Sequence, residues 1–370
     1  MSKRRYFITG GGTGGHIYPA VAVAEELLKN TYTEQIFYVG NPNNLEANIV
    51  GGKNYIFLPV ISSGMPRKIG FALVKWLFNM FFAWLKCCKY IRKYKPDVIF
   101  GTGGYVSAPV LLAGITMNVP FVMHDCDANP GLVTRKLSPF AKSVSIAFES
   151  AKNKINNGNC FVNGNPIRDA FLQITKGDAI RELNLQDKMT LCVMGGSQGA
   201  KRINESVVNI LKDFSQVLDL QVIFQTGKRN FEDIISKLEY IYPEYKEDKN
   251  IIIKPYFDNM PAVLNASDIA ISRAGSLSIS ELCACGVASI FVPYPYAAAD
   301  HQRKNAKFMV EKGAGLYLED EDTTSKTLYK LVESLIKDKE QLLAIKKSSS
   351  ELAKYDGAKK IAQLVIDCKD

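Results

Sequence analysis

The sequence predicts an α/β protein of two similar halves, each a parallel sheet flanked by helices. Three observations predict it. The chain has 370 residues, 47% hydrophobic and 22% charged, which suits two domains with separate cores. At the N-terminus a buried strand, a Gly-rich turn and a helix follow one another. The same succession restarts near residue 190 with a different sequence. Repeated strand–helix units favour parallel sheets with ligands at the carboxyl ends of the strands. Two such halves predict two Rossmann-like domains facing a central cleft, with the ligand between them.

The bulk composition narrows the class further. The net charge of +9 is moderate, so its local distribution decides what it means. The eight cysteines match neither a disulfide framework nor a zinc spacing, and read as small buried hydrophobes. Met1–Arg5 is basic, but only one short strand separates it from glycines, unlike a signal peptide.

Tyr6–Thr9 is the first predicted strand, Gly10–His16 the turn, and Pro19–Lys29 the helix, with Pro19 in its first turn. Gly10, Gly12 and Gly15 satisfy the G-x-G-x-x-G pattern of a dinucleotide site. That pattern also expects an acid at the end of the second strand. Here Ile36–Val39 ends in Gly40-Asn41-Pro42, and Glu46 lies past the turn, which counts against a nicotinamide cofactor. His16 sits at the mouth of the turn. A histidine there suits acid–base chemistry, since its ordinary pKa lies near neutrality.

Residues 47–96 contain no Asp or Glu. Within 66–96 an apolar run is interrupted by regularly spaced cations. At helical spacing Lys68, Lys75 and Lys86 fall in one stripe, and Ile69, Leu73, Trp76, Phe78, Phe81 and Trp84 cover much of the rest. An interfacial helix on anionic lipid fits this pattern best. A buried core helix and a spanning helix are the alternatives, the latter weakened by Lys75 and Asn79.

Pro96–Phe100 is the next strand, followed by a second Gly-rich turn, Gly101–Ser107. Phe121–Met123 leads into His124-Asp125-Cys126-Asp127. Asp125-x-Asp127 imitates a metal-holding pair, but Asp320-x-Asp322 does so equally within a charged run read as surface. Gly164–Arg168 closes the first half, and Arg168 suits bidentate phosphate binding. The expected domains are 1–168 and 169–349, with Gln173–Lys188 as linker and the last helix, about 350–370, returning to the first domain. In the second half Thr190–Met194, Gly195–Ala200 and Asn204–Leu211 repeat the strand–turn–helix unit. Ile269–Ile271 then leads into Ser272–Glu281, where Ser276 and Ser278 can cap a helix whose start suits a diphosphate. Glu281 is placed to accept two hydrogen bonds from a ribose diol.

Arg273-x-Gly275-Ser276-Leu277-Ser278-Ile279-Ser280-Glu281, with Ala284-Cys285-Gly286 and Phe291–Pro295, resembles the nucleotide-sugar signature of the MurG family, bacterial N-acetylglucosaminyltransferases that make lipid II. The likeness extends through Gly10–His16, Gly101–Pro109, Gly164–Arg168, Gly195–Ala200 and His301–Ala306. It implies a glycosyltransferase B-type fold and inverting, metal-independent transfer of GlcNAc from UDP-GlcNAc to the MurNAc 4-hydroxyl of lipid I. It implies no nucleic-acid partner, a peripheral place on the cytoplasmic face of the plasma membrane, and a part in cell-wall synthesis, cell shape and division, with proteins of those processes as partners. The implied catalytic group is His16, assisted by His124 or Asp125. The implied donor residues are Thr13, Gly14, Gly15, Arg168, Ser197, Gln198, Phe257 packing on the uracil, Ser276 to Glu281, Gln302 and Asn305. Gly103, Gly104 and Tyr105 fall on the acceptor side. The family's His-Glu-Gln-Asn reads His124-Asp125-Cys126-Asp127 here, which keeps a carboxylate one methylene shorter and puts an amide contact at 127 in doubt.

Overall fold

The computed structural model describes residues 3–66, 70–196, 198–297 and 300–369. The chain forms two compact units, residues 1–168 with 354–370, and residues 169–353.

The first unit is built on seven strands: β1 Arg4–Thr9, β2 Thr33–Gly40, β3 Ile56–Pro59, β4 Val98–Gly101, β5 Phe121–Asp125, β6 Ser143–Ile146 and β7 Cys160–Val162. They form one sheet in the order β3-β2-β1-β4-β5-β6-β7, and every pairing is parallel. Helices α1 Gly14–Leu28, α2 Leu45–Val50, α3 Phe71–Tyr94, α4 Gly104–Thr116 and α5 Leu132–Leu137 connect them. Sheets covered on both faces need strands that are apolar on both sides, and alternate residues divide accordingly. Phe7, Phe37 and Ile99 point into one core, while Tyr6, Ile8, Tyr38 and Phe100 join the other with Ile17, Val21 and Leu27 of α1.

The second unit carries β8 Thr190–Met194, β9 Gln221–Gln225, β10 Ile251–Lys254, β11 Ile269–Ser272, β12 Ala288–Phe291 and β13 Leu316–Tyr317. Their order is β10-β9-β8-β11-β12-β13, again all parallel. Its helices are α6 Ala170–Gln173, α7 Lys176–Glu182, α8 Lys201–Val208, α9 Phe231–Ile241, α10 Met260–Ala266, α11 Ser276–Ala284, α12 His301–Glu311, α13 Ser325–Lys337 and α14 Lys339–Glu351. The last helix, α15 Gly357–Asp367, belongs to the first unit, where Ile361, Ala362 and Val365 join the core beside α1.

Within residues 173–188, polar and helix-like in sequence and expected to link the units, Lys176–Glu182 forms α7, whose Ala179 packs on Ala262 and Ala266 of the second unit. Asp268 reinforces this docking, with Lys176 Nζ 2.7 Å from both carboxylate oxygens and Lys346 Nζ at 2.8 Å. Burial acts to raise the Asp268 pKa, but the two ammonium groups outweigh it and hold it below the usual range. Helix α1 begins at Gly14, so Pro19 lies in its second turn and the glycines themselves form the first. Glycine there costs about 1 kcal/mol relative to alanine, which a site needing close approach of backbone can justify. Helix α3 is buried only in part, unlike the core helix that was one alternative. Its hydropathy and length permit crossing, but Ala83, Cys87, Cys88 and Ile91 of its second half are buried against the sheet. The first half stands exposed.

Candidate functional site

In an open parallel sheet, ligands bind where the strand order reverses, beyond the carboxyl ends of the two strands flanking that point. In the first unit this point lies between β1 and β4, and in the second between β8 and β11. The four loops that leave these strands are Gly10–Thr13, Thr102–Gly103, Gly195–Ala200 and Arg273–Gly275. They are four of the glycine-containing stretches picked out by the sequence.

The two loops of the first unit interlock. Thr102 Oγ1 donates to the carbonyl of His16 at 2.6 Å, and Tyr38 Oη donates to the carbonyl of Gly10 at 2.7 Å. Gly104 has φ +74°, and a Cβ there would lie 2.7 Å from the Gly11 carbonyl oxygen. A side chain at this position would therefore part the loops. Thr13 is the N-cap of α1 without a side-chain cap bond. The first-turn N–H groups of Gly14 and Gly15 have no intrahelical acceptor, as at any helix start. Gly103 caps α4 in the same way. Tyr105 accepts a hydrogen bond from Asn44 Nδ2 at 3.1 Å.

His16 is the third residue of α1 and half-buried. Its Nδ1 lies 3.0 Å from the carbonyl oxygen of Thr102. A carbonyl only accepts, so Nδ1 carries the proton and Nε2 holds the free lone pair. That is the tautomer a general base needs. Two residues on, the Tyr18 ring lies under the Arg168 guanidinium, 4.5 Å from its centroid, which brings a cation to the start of α1.

His124 and Asp125 are differently placed. His124 is fully buried. Its Nε2 lies 3.3 Å from Asn165 Oδ1 and its Nδ1 3.1 Å from Ser145 Oγ. Burial pushes its pKa down to about 4, against the Asn165 hydrogen bond. In this structure the ring is enclosed and bonded to Asn165 and Ser145, so the expected help from His124 to His16 has no exposed ring atom behind it. Asp125 turns inward as well. Its oxygens accept the N–H groups of Asp127 at 3.1 Å and Gly131 at 3.0 Å, and burial raises its pKa. Its carboxylate thus shapes its own loop. Among the described residues no cluster of three or more His, Cys, Asp or Glu gathers for a metal.

In the second unit Gly275, not a serine, is the N-cap of α11, and no side chain caps the helix. Ser276 is its first residue, Ser278 its third and Glu281 its sixth. Leu277 and Ile279 are buried and anchor the helix, and Ser280 Oγ donates to the Ser276 carbonyl at 3.1 Å. Asn305 is fully buried beneath the preceding loop, and its Nδ2 donates to the Ala274 carbonyl at 3.2 Å. Gln302 Oε1 accepts the Tyr294 N–H at 2.9 Å, which leaves its NH₂ as the group able to reach a ligand hydroxyl. Gln198 is exposed, with its carbonyl held by Asn230 Nδ2 at 3.1 Å. Ser197 lies outside the described residues, as do Lys68 and Ile69 of the lipid-facing set. Phe257 departs from expectation: its ring is only 5% exposed and its N–H donates to Gln225 Oε1 at 2.9 Å.

Sequence reasoning missed the supports. Arg273 donates to the carbonyls of Val292 and Pro293, both at 3.1 Å, and to Asp320 Oδ1 at 2.6 Å. Asp320, read as part of a surface run, instead ties the signature loop to the segment after β13, while Arg273 itself reaches the loop after β12. Glu46, set aside as lying past the turn, is fully buried behind Gly12. No pattern marks either one, because both act on segments remote in sequence.

On α3, Phe71, Val74, Leu77, Phe78, Phe81 and Phe82 are exposed, beside Lys75 and Lys86. Leu73, Trp76 and Trp84 are half-buried. Both indoles are engaged, Trp76 Nε1 with the Ser63 carbonyl at 2.8 Å and Trp84 Nε1 with Thr116 Oγ1 at 3.2 Å. The outer face is thus more phenylalanine than tryptophan.

Comparison with known proteins places this geometry. Residues 6–146 match the glycosyltransferase family 28 N-terminal domain and residues 190–362 its C-terminal domain. The chain is 38% identical over 363 residues to the UDP-N-acetylglucosamine--N-acetylmuramyl-(pentapeptide) pyrophosphoryl-undecaprenol N-acetylglucosamine transferase of Desulforamulus reducens, covering 98% of each. It is 33% identical to the enzyme of the same name from Bacillus cytotoxicus, again over 98% of each. Among solved structures, Acinetobacter baumannii MurG superimposes with a TM-score of 0.73 at 25% identity, covering 99% of both chains. A UDP-GlcNAc 2-epimerase from Neisseria meningitidis, bound to UDP-GlcNAc, shares the fold at 13% identity and a TM-score of 0.69, over 98% of this chain and 99% of the other.

Proposed function

The chain belongs to glycosyltransferase family 28 and within it to the MurG transferases, and from that premise we propose that it transfers GlcNAc from UDP-GlcNAc to the MurNAc 4-hydroxyl of lipid I, giving lipid II and UDP with inversion at the anomeric carbon. The observation that carries the reading is relatedness to those transferases along nearly the whole chain. The site residues divide the work in a way that suits it. His16 Nε2 takes the proton of the attacking hydroxyl, because Thr102 holds the proton of the ring on Nδ1. The C1–O bond to UDP breaks as the new C1–O bond forms, so charge grows on the diphosphate. The start of α11 and Arg168 are the groups to receive it, in place of a metal ion. Glu281 takes the ribose diol, Gln302 the sugar, and the Gly103–Tyr105 turn the acceptor, while buried Asn305 holds the loop that opens α11.

The same reading gives α3 its role. A contiguous exposed patch of phenylalanine, leucine and valine beside lysines needs cover, and a lipid-linked acceptor supplies it. The first half of α3 docks on anionic lipid, peripherally, on the side of the membrane where UDP-GlcNAc is found.

The test of the donor is thermal stability with UDP, UDP-GlcNAc, UDP-galactose or NADH in the presence of EDTA. Stabilisation grows with affinity for the native state. UDP-GlcNAc is expected to raise the midpoint most. A response to NADH alone overturns the reading.

A further inference from the structure

We infer that Glu46 is a positioning residue for the transfer: its buried carboxylate fixes Gly12 and so presets the turn that opens α1 and carries His16. The inference rests on the transferase reading above. Glu46 is the second residue of α2 and is fully buried. Its Oε2 accepts the Gly12 N–H at 3.3 Å and its Oε1 the Asn41 N–H at 3.1 Å. The surrounding space is cut to the carboxylate: a Cβ on Gly11 would lie 2.6 Å from Oε1, and one on Gly40 2.9 Å from Cγ. Two residues earlier Asn44 reaches Tyr105 of the second turn, and a Cβ on Gly12 would meet the Tyr105 ring at 2.9 Å. One short segment therefore touches both loops on the acceptor side.

Burial of a carboxylate is costly wherever packing alone is at stake, since an apolar side chain would fill the space at less cost. Gly10, Gly11 and Gly12 offer no side chains to pack, so bonds to their backbone are the means by which this turn is held. Gly12 lies two residues before the first residue of α1 and four before His16. A rigid turn thus sets the height of the imidazole, and a displacement of about 1 Å in such a group can cost on the order of 100-fold in rate.

Glu46→Gln keeps the shape but presents an NH₂ to one of two N–H donors. Its turnover is expected to fall roughly 10- to 100-fold, with a smaller rise in the KM for UDP-GlcNAc, because Thr13 to Gly15 adjoin the turn whereas Glu281 and Gln302 lie in the second unit. Amide hydrogen exchange is expected to quicken in peptides spanning 9–16 and to stay unchanged in β5 and the carboxyl half of α1. Glu46→Asp, which keeps the charge and withdraws by one methylene, is expected to fall between. Wild-type turnover in Glu46→Gln overturns the inference, as does a loss that tracks faster exchange throughout the unit. If the wild-type protein itself transfers no sugar, the transferase reading falls, and the exchange experiment then reports only whether Glu46 holds the turn.

Discussion

His16 in the first turn of α1 and His124 near the end of β5 belong to one unit, yet their surroundings differ. His16 has one ring nitrogen committed to the Thr102 carbonyl and the other free. His16→Ala is expected to lower turnover roughly 10²- to 10⁴-fold while UDP-GlcNAc still stabilises the protein, as read by kinetics and thermal shift on one preparation. His124 has both nitrogens engaged inside the fold. Its folded pKa, about 4, lies below the ordinary 6.5, so the unfolded chain binds the proton more readily. Its contribution to stability is present above pH 6.5 and is lost as pH falls toward 4, by about 3 kcal/mol from the difference between the two values. The stability gap between the wild-type protein and His124→Asn is expected to shrink by that amount between pH 7 and pH 4 in denaturant titrations. A gap that stays constant contradicts the buried neutral assignment. Both histidines were legible as candidates from their polar loops. Which one stays free was not, because that depends on Ser145 and Asn165, 21 and 41 residues away.

At the scale of elements, the strand–turn–helix units were readable because parallel strands covered on both faces are apolar throughout, and glycines end them abruptly. The helix starts were read less well. Serines near 276 predicted a capped start, but glycine takes the cap position in both α4 and α11, as close approach of backbone to a ligand demands. β6 was missed because Ser143-Val144-Ser145-Ile146 alternates like a half-exposed strand, whereas its serines face polar neighbours such as His124 inside the unit. For α3 the exposed apolar face was legible from its phenylalanines and lysines. The hydrogen bonds that turn Trp76 and Trp84 partly inward were not. Replacing Phe78 and Phe81 together by Glu is expected to abolish flotation with phosphatidylglycerol vesicles and leave the thermal midpoint nearly unchanged, since both side chains are exposed. Undiminished flotation removes α3 from the lipid contact.

At the scale of the molecule, both units place their signature loops at the reversal point of a parallel sheet, although they share no sequence pattern beyond glycine and apolar strands. This repetition made two domains legible from one chain. The return of α15 to the first unit rests on a few apolar residues, Ile361, Ala362 and Val365, that fit the groove beside α1. The division of labour suits a two-substrate transferase, with the proposed base, His16, in one unit and the nucleotide-sugar signature in the other. The most direct test is incubation of the purified protein with UDP-GlcNAc and a lipid I analogue in EDTA, followed by analysis of the lipid product. The account predicts one β-1,4-linked GlcNAc–MurNAc lipid formed for each UDP released. UDP release without that lipid, or no turnover at all, would contradict it.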